Sequence, residues 1–385
     1  MALGFTKPRY SPIAIDFGAD TLKVLQVSLG DPPQLIASAS RVIPELYRDD
    51  GAGRMTYLAD ALRDLLKTQP FKGKRAICSI PAYQTLIQHI ELTKAENDDF
   101  DQQVGLQLIQ RFNIDPSRMV VRSHHVGKLI KDGATMYQVV CIAARRDAVM
   151  KYIELANRCK LEVVGMHSEP IAIVRAHPLL AGKETGSGAT CYIDIGAGMT
   201  KLIVAHGREL AFAKTVHACG NQLTRALAQM QGIGFDQARK LRARGAAAGV
   251  GAGHVTVSTL GGITTEDDTA VGDQPDAVHG GLDGYDGAGD TIEALIDELR
   301  LSMRYYHNIF PNRPIQQLIF LGGESQDVKL CQSIARSVRV AAKLGDPFAG
   351  VDTLDNHERA GGIEPYKPMP GWAVPLGLCF SEANL

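Results

Sequence analysis

One short pattern occurs twice in this chain. Counting from its aspartate, isoleucine comes just before, glycine follows at two, alanine at three and lysine at seven. The first copy is Ile15-Asp16-Phe17-Gly18-Ala19-Asp20-Thr21-Leu22-Lys23-Val24; the second is Ile193-Asp194-Ile195-Gly196-Ala197-Gly198-Met199-Thr200-Lys201-Leu202. Each sits between apolar β-formers, 13–17 and 22–27 in one case, 192–195 and 202–205 in the other. Two strands joined by a tight glycine-bearing turn is the direct reading. Glycine lets the backbone approach a ligand closely, and the amides of such a turn can point at an anion. An aspartate beside a phosphate needs a metal ion, or a metal-bound water, between them.

The surroundings of the two copies repeat as well. After the first come a strand (34–43), a helix (55–69, with Leu58, Leu62, Leu65 and Leu66 on one face) and a strand (75–80). A helix (147–159) and a strand (161–166) follow later. After the second come a strand (209–216), a helix opening at Gly220 and Asn221 with Leu223, Leu227 and Met230 on one side, a strand (317–321), a helix (328–338) and a strand (340–344). This is a duplicated α/β unit with helices against a mixed sheet. Each unit carries an insertion. In the first, 81–145 has strands at 85–92, 119–126 and 136–144 and a helix at 99–112, enough for a small α+β subdomain. In the second, 230–299 has two helical stretches around 245–290, which contains no Lys or Arg, eight acidic residues and much Gly and Ala; it reads as a solvated acidic loop. The expected division is 10–80, 146–188 and 371–385 for the first domain, 81–145 for its subdomain, and 189–370 for the second domain.

Composition removes several function classes. The 385 residues carry a net charge of −1, so no basic excess points to nucleic acid. No run of about 18 apolar residues is present to span a bilayer, and residues 1–9 lack the apolar core of a signal peptide. The seven cysteines are scattered, odd in number and without a Cys-x-x-Cys pair, as expected of buried reduced thiols in a cytosolic protein. The histidines form no cluster with ligand spacing; His124 and His125 should point to opposite faces of a strand. There is neither a Gly-x-Ser-x-Gly elbow nor a phosphate-loop lysine motif.

Leu321-Gly322-Gly323-Glu324-Ser325 ends an apolar strand and precedes a helix, where backbone, helped by a helix N-terminus, can meet a nucleotide; a plain strand–helix turn is the alternative. Glu169, in Ser168-Glu169-Pro170-Ile171-Ala172, is placed to cap the helix beginning at Pro170. Lys23 and Lys201 either approach phosphate or solubilise a strand, and Thr21 and Thr200 have hydroxyls to offer.

A duplicated strand-strand-strand-helix unit with an Asp-x-Gly hairpin opening each copy resembles the actin-like ATPase superfamily, two ribonuclease H-like domains around a nucleotide cleft. Residues 16–24 and 194–202 match its two phosphate motifs, 321–325 its adenosine motif, and 168–172 and 373–378 its two interdomain connections. Within that superfamily the chain resembles the PilM family of type IV pilus assembly, with the inserted subdomain between the phosphate motifs and a matching helix at 291–308. Residues 379–385 offer no amphipathic membrane helix of the FtsA kind. The resemblance implies bound ATP or ADP with Mg²⁺. Asp16 and Asp194 would organise the metal, and Gly18, Ala19, Thr21, Lys23, Gly196, Gly198, Met199, Thr200, Lys201, Gly322, Gly323, Glu324 and Ser325 would lie against the nucleotide, with Glu169 and Asp194 in catalytic positions. Where relatives have Ala-Glu-x-x-Lys, whose Glu meets the ribose, this chain has Ala238-Arg239-Lys240-Leu241-Arg242, so weak or no ATPase activity is expected. The implied partner is a PilN-like single-span membrane protein, bound through its cytosolic N-terminal peptide, alongside other pilus platform proteins. The chain itself would be cytoplasmic and recruited to the inner membrane without inserting. An active ATPase or small-molecule kinase, or an FtsA-like filament protein, are the alternatives.

Overall fold

A computed structural model describes residues 10–48, 50–93, 100–131, 133–182, 188–249, 289–352, 361–364 and 367–385. The first unit contains β1 (Ile13–Phe17), β2 (Thr21–Val27), β3 (Leu35–Val42), α1 (Gly51–Thr68) and β4 (Arg75–Ile80). The inserted segment follows with β5 (Thr85–Thr93), α2 (Phe100–Phe112), β6 (Met119–Lys131) and β7 (Ala134–Arg145). The unit resumes with α3 (Arg146–Arg158), β8 (Glu162–Ser168), α4 (Glu169–Arg175) and α5 (His177–Leu180). The second unit contains β9 (Ala189–Ile195), β10 (Thr200–His206), β11 (Glu209–Val216), α6 (Gly220–Gln231), α7 (Phe235–Gly249), α8 (Gly289–Ile309), β12 (Ile315–Leu321), α9 (Val328–Val338) and β13 (Ala342–Leu344); α10 (Ala373–Cys379) closes the chain.

The two large sheets have the same order, β3-β2-β1-β4-β8 and β11-β10-β9-β12-β13. In each, three antiparallel strands made by successive hairpins continue into two parallel ones reached by helical crossovers. The central strands are buried throughout: every residue of β1 and β9 is covered, as expected of apolar strands with helices on both faces. Helices α1 and α3 cover the outer face of the first sheet through Leu58, Leu62, Tyr152 and Leu155. Helices α8 and α9 do the same for the second through Leu295, Leu299, Leu330 and Ile334. Between the sheets lie α4 and α10, wholly or largely apolar and packed on each other; Gly377 passes so close to the Ala172 carbonyl that a Cβ there would overlap the oxygen. The third sheet, β5-β7-β6, is antiparallel and folds over α2 around Ile90, Val104, Leu108 and Cys141.

Local sequence accounts for most boundaries. Asp50 accepts from the amides of Ala52 and Gly53 and so starts α1 at Gly51, four residues before the hydrophobic periodicity indicates. Gly232, left-handed at φ 62°, ends α6. The face assigned to α6 is only partly buried: Leu223 is covered, but Met230 is 47% exposed. β6 and β7 run several residues past their expected ends because they continue as a hairpin to Lys131 and Ala134. Helix α7 extends to Gly249, into the start of the expected acidic loop, and α8 begins at Gly289; residues 250–288, nearly all of that loop, lie outside the described residues. All seven cysteines are buried, and none is in a disulfide.

Candidate functional site

The spacing of the repeated pattern becomes cross-strand register. Antiparallel pairing puts Asp16 directly opposite Lys23 and Asp194 directly opposite Lys201. Lysine seven residues after aspartate is thus what a short turn requires for the two side chains to stand side by side on one face. The turns need their glycines. A Cβ on Gly18 would lie 2.7 Å from the Thr21 carbonyl oxygen, and one on Gly196 2.8 Å from that of Met199, contacts that real Cβ atoms do not make. The tips of the two turns face each other, since a Cβ on Gly198 would come within 2.8 Å of Ala19 Cβ.

Between the hairpins lies a cavity of about 650 Å³, within the usual range for a small-ligand site. Asp16, Gly18, Ala19, Thr21 and Lys23 line it from the first half, and Asp194, Gly196, Gly198, Met199 and Lys201 from the second. Glu169 closes its floor, while Gly322, Gly323 and Glu324 lie further along the second half. The lining also includes the apolar Val328, Leu344, Met369 and Val374, alongside the charged Asp327, Glu364 and Lys367. The structure therefore gathers fourteen of the expected residues about one cavity and leaves out two. Thr200 is fully buried and donates its hydroxyl to the Ala218 carbonyl at 2.6 Å; Ser325 is also fully buried and donates to the Leu321 carbonyl. Both hydroxyls tie their own loops together.

The floor is an ion-pair network. Ser79 donates its hydroxyl to Asp16 Oδ1 at 2.9 Å and accepts from the Phe17 amide at 3.1 Å, while Lys23 stands 3.8 Å from Asp16 Oδ2. Burial, only partly offset by Lys23 and reinforced by Glu169, pushes the Asp16 carboxyl up to about 6. The second aspartate is held more closely: Lys201 Nζ lies 2.7 Å from Asp194 Oδ2 and also pairs with Glu169 Oε2. Burial works against the Lys201 charge, but Asp194 and Glu169 together hold its pKa above the ordinary value. The other Glu169 oxygen accepts from the Ala82 amide at 2.8 Å. Glu169 therefore does not cap its helix, one of the two roles its position allows; it bridges the two halves.

Several contributors lie outside the expected set. Arg54 of α1, buried, donates to the Gly18 carbonyl at 2.8 Å and fixes the first turn from below. Asp20, inside the first motif, is buried between Arg48 (3.2 Å) and Arg239 (3.4 Å), with Asn221 Nδ2 at 3.4 Å. Arg239 and Asn221 come from the second half, so this cluster is a tie across the cleft mouth. Arg242, one turn after Arg239, pairs with Glu324 at 2.7 Å and donates to the Gly220 carbonyl and the Thr224 hydroxyl. Gly322 adopts φ 89°, where any Cβ would overlap the Ile195 carbonyl oxygen, so the second hairpin and the 321–325 turn are packed backbone to backbone. The helix after that turn does not lend it a free N-terminus: a short 3₁₀ turn, Gly323–Gln326, intervenes, and the Asp327 carboxylate caps α9 by accepting from the Leu330 amide.

Two sheets of one strand order, set around a cleft with matched Asp–Lys hairpins, define a protein of the actin-like ATPase fold. The family model for the type IV pilus assembly protein PilM matches residues 14–248, and the chain belongs to that family. Among solved structures, it is similar to the "PilM-PilN type IV pilus biogenesis complex" at 20% identity and a TM-score of 0.73, over 97% of this chain and 98% of that one. It is more distantly similar to the ethanolamine utilization protein EutJ from Carboxydothermus hydrogenoformans, at 12% identity and a TM-score of 0.48 over 97% and 90% of the two chains. No curated protein matches the sequence. Among the described residues, no helix is long and apolar enough to cross a membrane.

Proposed function

We propose that this pilus assembly protein is a nucleotide-tuned scaffold: ATP or ADP with Mg²⁺ in the cleft sets the angle between its halves, and an extended peptide from a PilN-like membrane partner docks beside the inserted subdomain. The observation that carries the nucleotide half is the cavity between two register-matched Asp–Lys hairpins, lined by charged, apolar and glycine-turn residues of both halves. The donor set suits Mg²⁺. Among the described residues no three His, Cys, Asp or Glu side chains converge as a metal site. That is what an ion needs which takes one or two carboxylates and fills its shell with water and phosphate. Asp16 is buried, and that burial, only partly offset by Lys23, pushes its carboxyl up to about 6. Asp16 and Asp194 would hold the ion through its waters, and the ion would neutralise phosphate charge. Gly18 and Gly196 would bring turn amides to the phosphates, and the Gly322–Gly323 backbone would lie against the nucleoside.

Glu169 supports a scaffold over an active phosphoryl-transfer enzyme. A water-activating carboxylate needs a free oxygen facing the ligand, whereas both oxygens of Glu169 are engaged, by the Ala82 amide and by Lys201. Arg239, tied to Asp20, stands where relatives carry a ribose-binding acid. Weak or no hydrolysis follows. The partner half rests on family membership, and on a solved PilM–PilN complex of similar fold. We take residues 81–145 to be a subdomain of the first domain, and the groove beside it to be the peptide site.

Calorimetric titration of ATP with Mg²⁺ into nucleotide-free protein and into Asp194→Ala tests the cleft. Binding by the parent that the variant loses is the expected result. No binding by folded, nucleotide-free parent would sink the nucleotide reading and leave partner recognition as the whole function.

A further inference from the structure

The inserted sheet β5-β7-β6 touches both halves of the molecule. To the first half it is joined with little slack: β4 ends at Ile80 and β5 begins at Thr85, while β7 ends at Arg145 and α3 starts at Arg146. Its residues alternate between two cores. Val139 and Cys141 face α2, whereas Val140 and Ile142, with Ile87 of β5, turn into the core shared with Leu210 and Ala213 of β11. β11 is the last strand of β11-β10-β9-β12-β13, so one side of it has no strand neighbour among the described residues. His89 of β5 covers that side. Both main-chain groups of Ala213 lie against its Nε2, the carbonyl oxygen at 3.0 Å and the amide nitrogen at 3.4 Å. The ring stacks on Phe212, 4.4 Å between centroids, and meets Tyr305 of α8 edge-on at 5.8 Å. A second contact lies at Gly127 of β6, where a Cβ would come within 2.9 Å of the Phe310 ring.

These contacts are placed to resist a change of angle between the halves. β11 lies two strands out from the central β9, about 10 Å at ordinary strand spacing, so a hold there acts on a longer arm than one at the crossing of α4 and α10. The hold is also incomplete. Burial lowers the His89 pKa to about 4, so near pH 7 the ring is neutral and has one N–H. With that proton on Nε2 it is donated to the nearer Ala213 group, the carbonyl. Nδ1 is then an acceptor that is buried and has no hydrogen-bond partner among the described residues. A buried acceptor left unbonded offsets part of what the contact contributes. Lifting His89 off β11 loses one bond and lets water reach Nδ1, so release costs less than a fully satisfied contact would.

We propose that the inserted sheet braces the two halves against each other, with His89 as the key that fits the β11 edge, and that freeing this key lets the angle between the halves change. The bearing on the cleft rests on the nucleotide-tuned reading above; the brace itself rests on the contacts just given. A ligand that moves the halves works against the His89 contact. Conversely, any event at the inserted sheet that lifts His89 off Ala213 loosens the cleft from a distance.

The test reads that angle directly. Nitroxide labels are attached at Asp60→Cys of α1 and Arg336→Cys of α9, exposed positions on the outer sides of the two halves; the seven native cysteines are buried. Double electron–electron resonance gives the distribution of distances between the labels. The full chain should show one narrow distribution, and His89→Ala should lose it for a broad one. Val104→Ala is the control, because Val104 belongs to the core on the α2 face of the same sheet, and it should leave the distribution narrow. If His89→Ala does not fold, Gly127→Ala, which pushes Phe310 off β6, takes its place. A distribution as narrow as the parent's, or equal broadening by Val104→Ala, would overturn the proposal. Release of a fluorescent ATP analogue, measured alongside, should be about tenfold faster from His89→Ala, the scale of one hydrogen bond with one ring contact. If the parent binds no nucleotide, the cleft reading fails by itself, and the distances still decide for or against the brace.

Discussion

The two hairpins share sequence pattern and register but not electrostatic state. In the first, Lys23 stays 3.8 Å from Asp16 and keeps some contact with solvent, and Asp16 is left with a raised pKa. In the second, Lys201 is buried against both Asp194 and Glu169, and its charge is locked in place. The copies diverge because only the second faces a third acid: Glu169 arrives on α4 beside Lys201 and pairs with it, whereas at Asp16 the same acid acts only as a repulsive charge. A duplicated motif thus gives one lysine held by two acids and one held by a single acid at longer range.

The largest expected difference comes from removing each lysine. Lys201→Met leaves two buried carboxylates facing each other and should cost about 3–5 kcal/mol in chemical denaturation, or prevent folding. Lys23→Met should cost about 1 kcal/mol or less. Equal losses would erase the asymmetry. Next come the turns, where the copies should behave alike: Gly18→Ala and Gly196→Ala each force the turn apart and should each destabilise by about 1–3 kcal/mol. A difference beyond error would mean that the turns, and not only their charges, are unlike.

Asp16 gives the copies different pH dependence. Its folded pKa of about 6 lies above the ordinary aspartate value of 3.8, so between these values the folded state binds more protons than the unfolded state. Stability of the nucleotide-free chain should therefore fall as pH rises from about 4 to about 6. Asp16→Asn should flatten that slope and raise the melting temperature at pH 7 while weakening Mg²⁺-nucleotide binding. A slope that persists in the variant would assign the effect to another group. The smallest effect is expected at the cleft mouth: Arg239 is 32% exposed, so Arg239→Ala should cost no more than about 1 kcal/mol. Its readout is faster exchange of the amides in the 18–21 turn, which the tie to Asp20 holds against the second half.

Much of this was legible before any coordinates. The two matched hairpins and the duplicated order of strands and helices follow from local pattern; the gathering of both hairpins and of 322–324 about one cleft comes from the resemblance to the actin-like fold, because local pattern does not say how two units face each other. What spacing does not encode is the distant group that a side chain meets. Thr200 and Ser325 carry the right chemistry at the right intervals, yet backbone carbonyls of neighbouring turns take both hydroxyls. Lys201 looks like Lys23 in sequence, and only the arrival of Glu169 separates them. Arg54 sits in an amphipathic helix, where an arginine ordinarily reads as surface; its buried bond to Gly18 depends on how α1 crosses the sheet. The contact of His89 with β11 had no signal either, since a histidine in a strand does not say which distant edge it will meet.

The contact of Gly377 with the Ala172 carbonyl has a mechanical consequence. The two segments that cross between the halves touch backbone to backbone, with no side chain between them to compress or slide over. A joint of that kind resists translation along either helix and permits rotation about their point of contact. Under the proposed nucleotide-tuned scaffold, closing the cleft on a ligand would then change the angle between the two sheets. Even a methyl group at position 377 would jam that pivot without touching either hairpin.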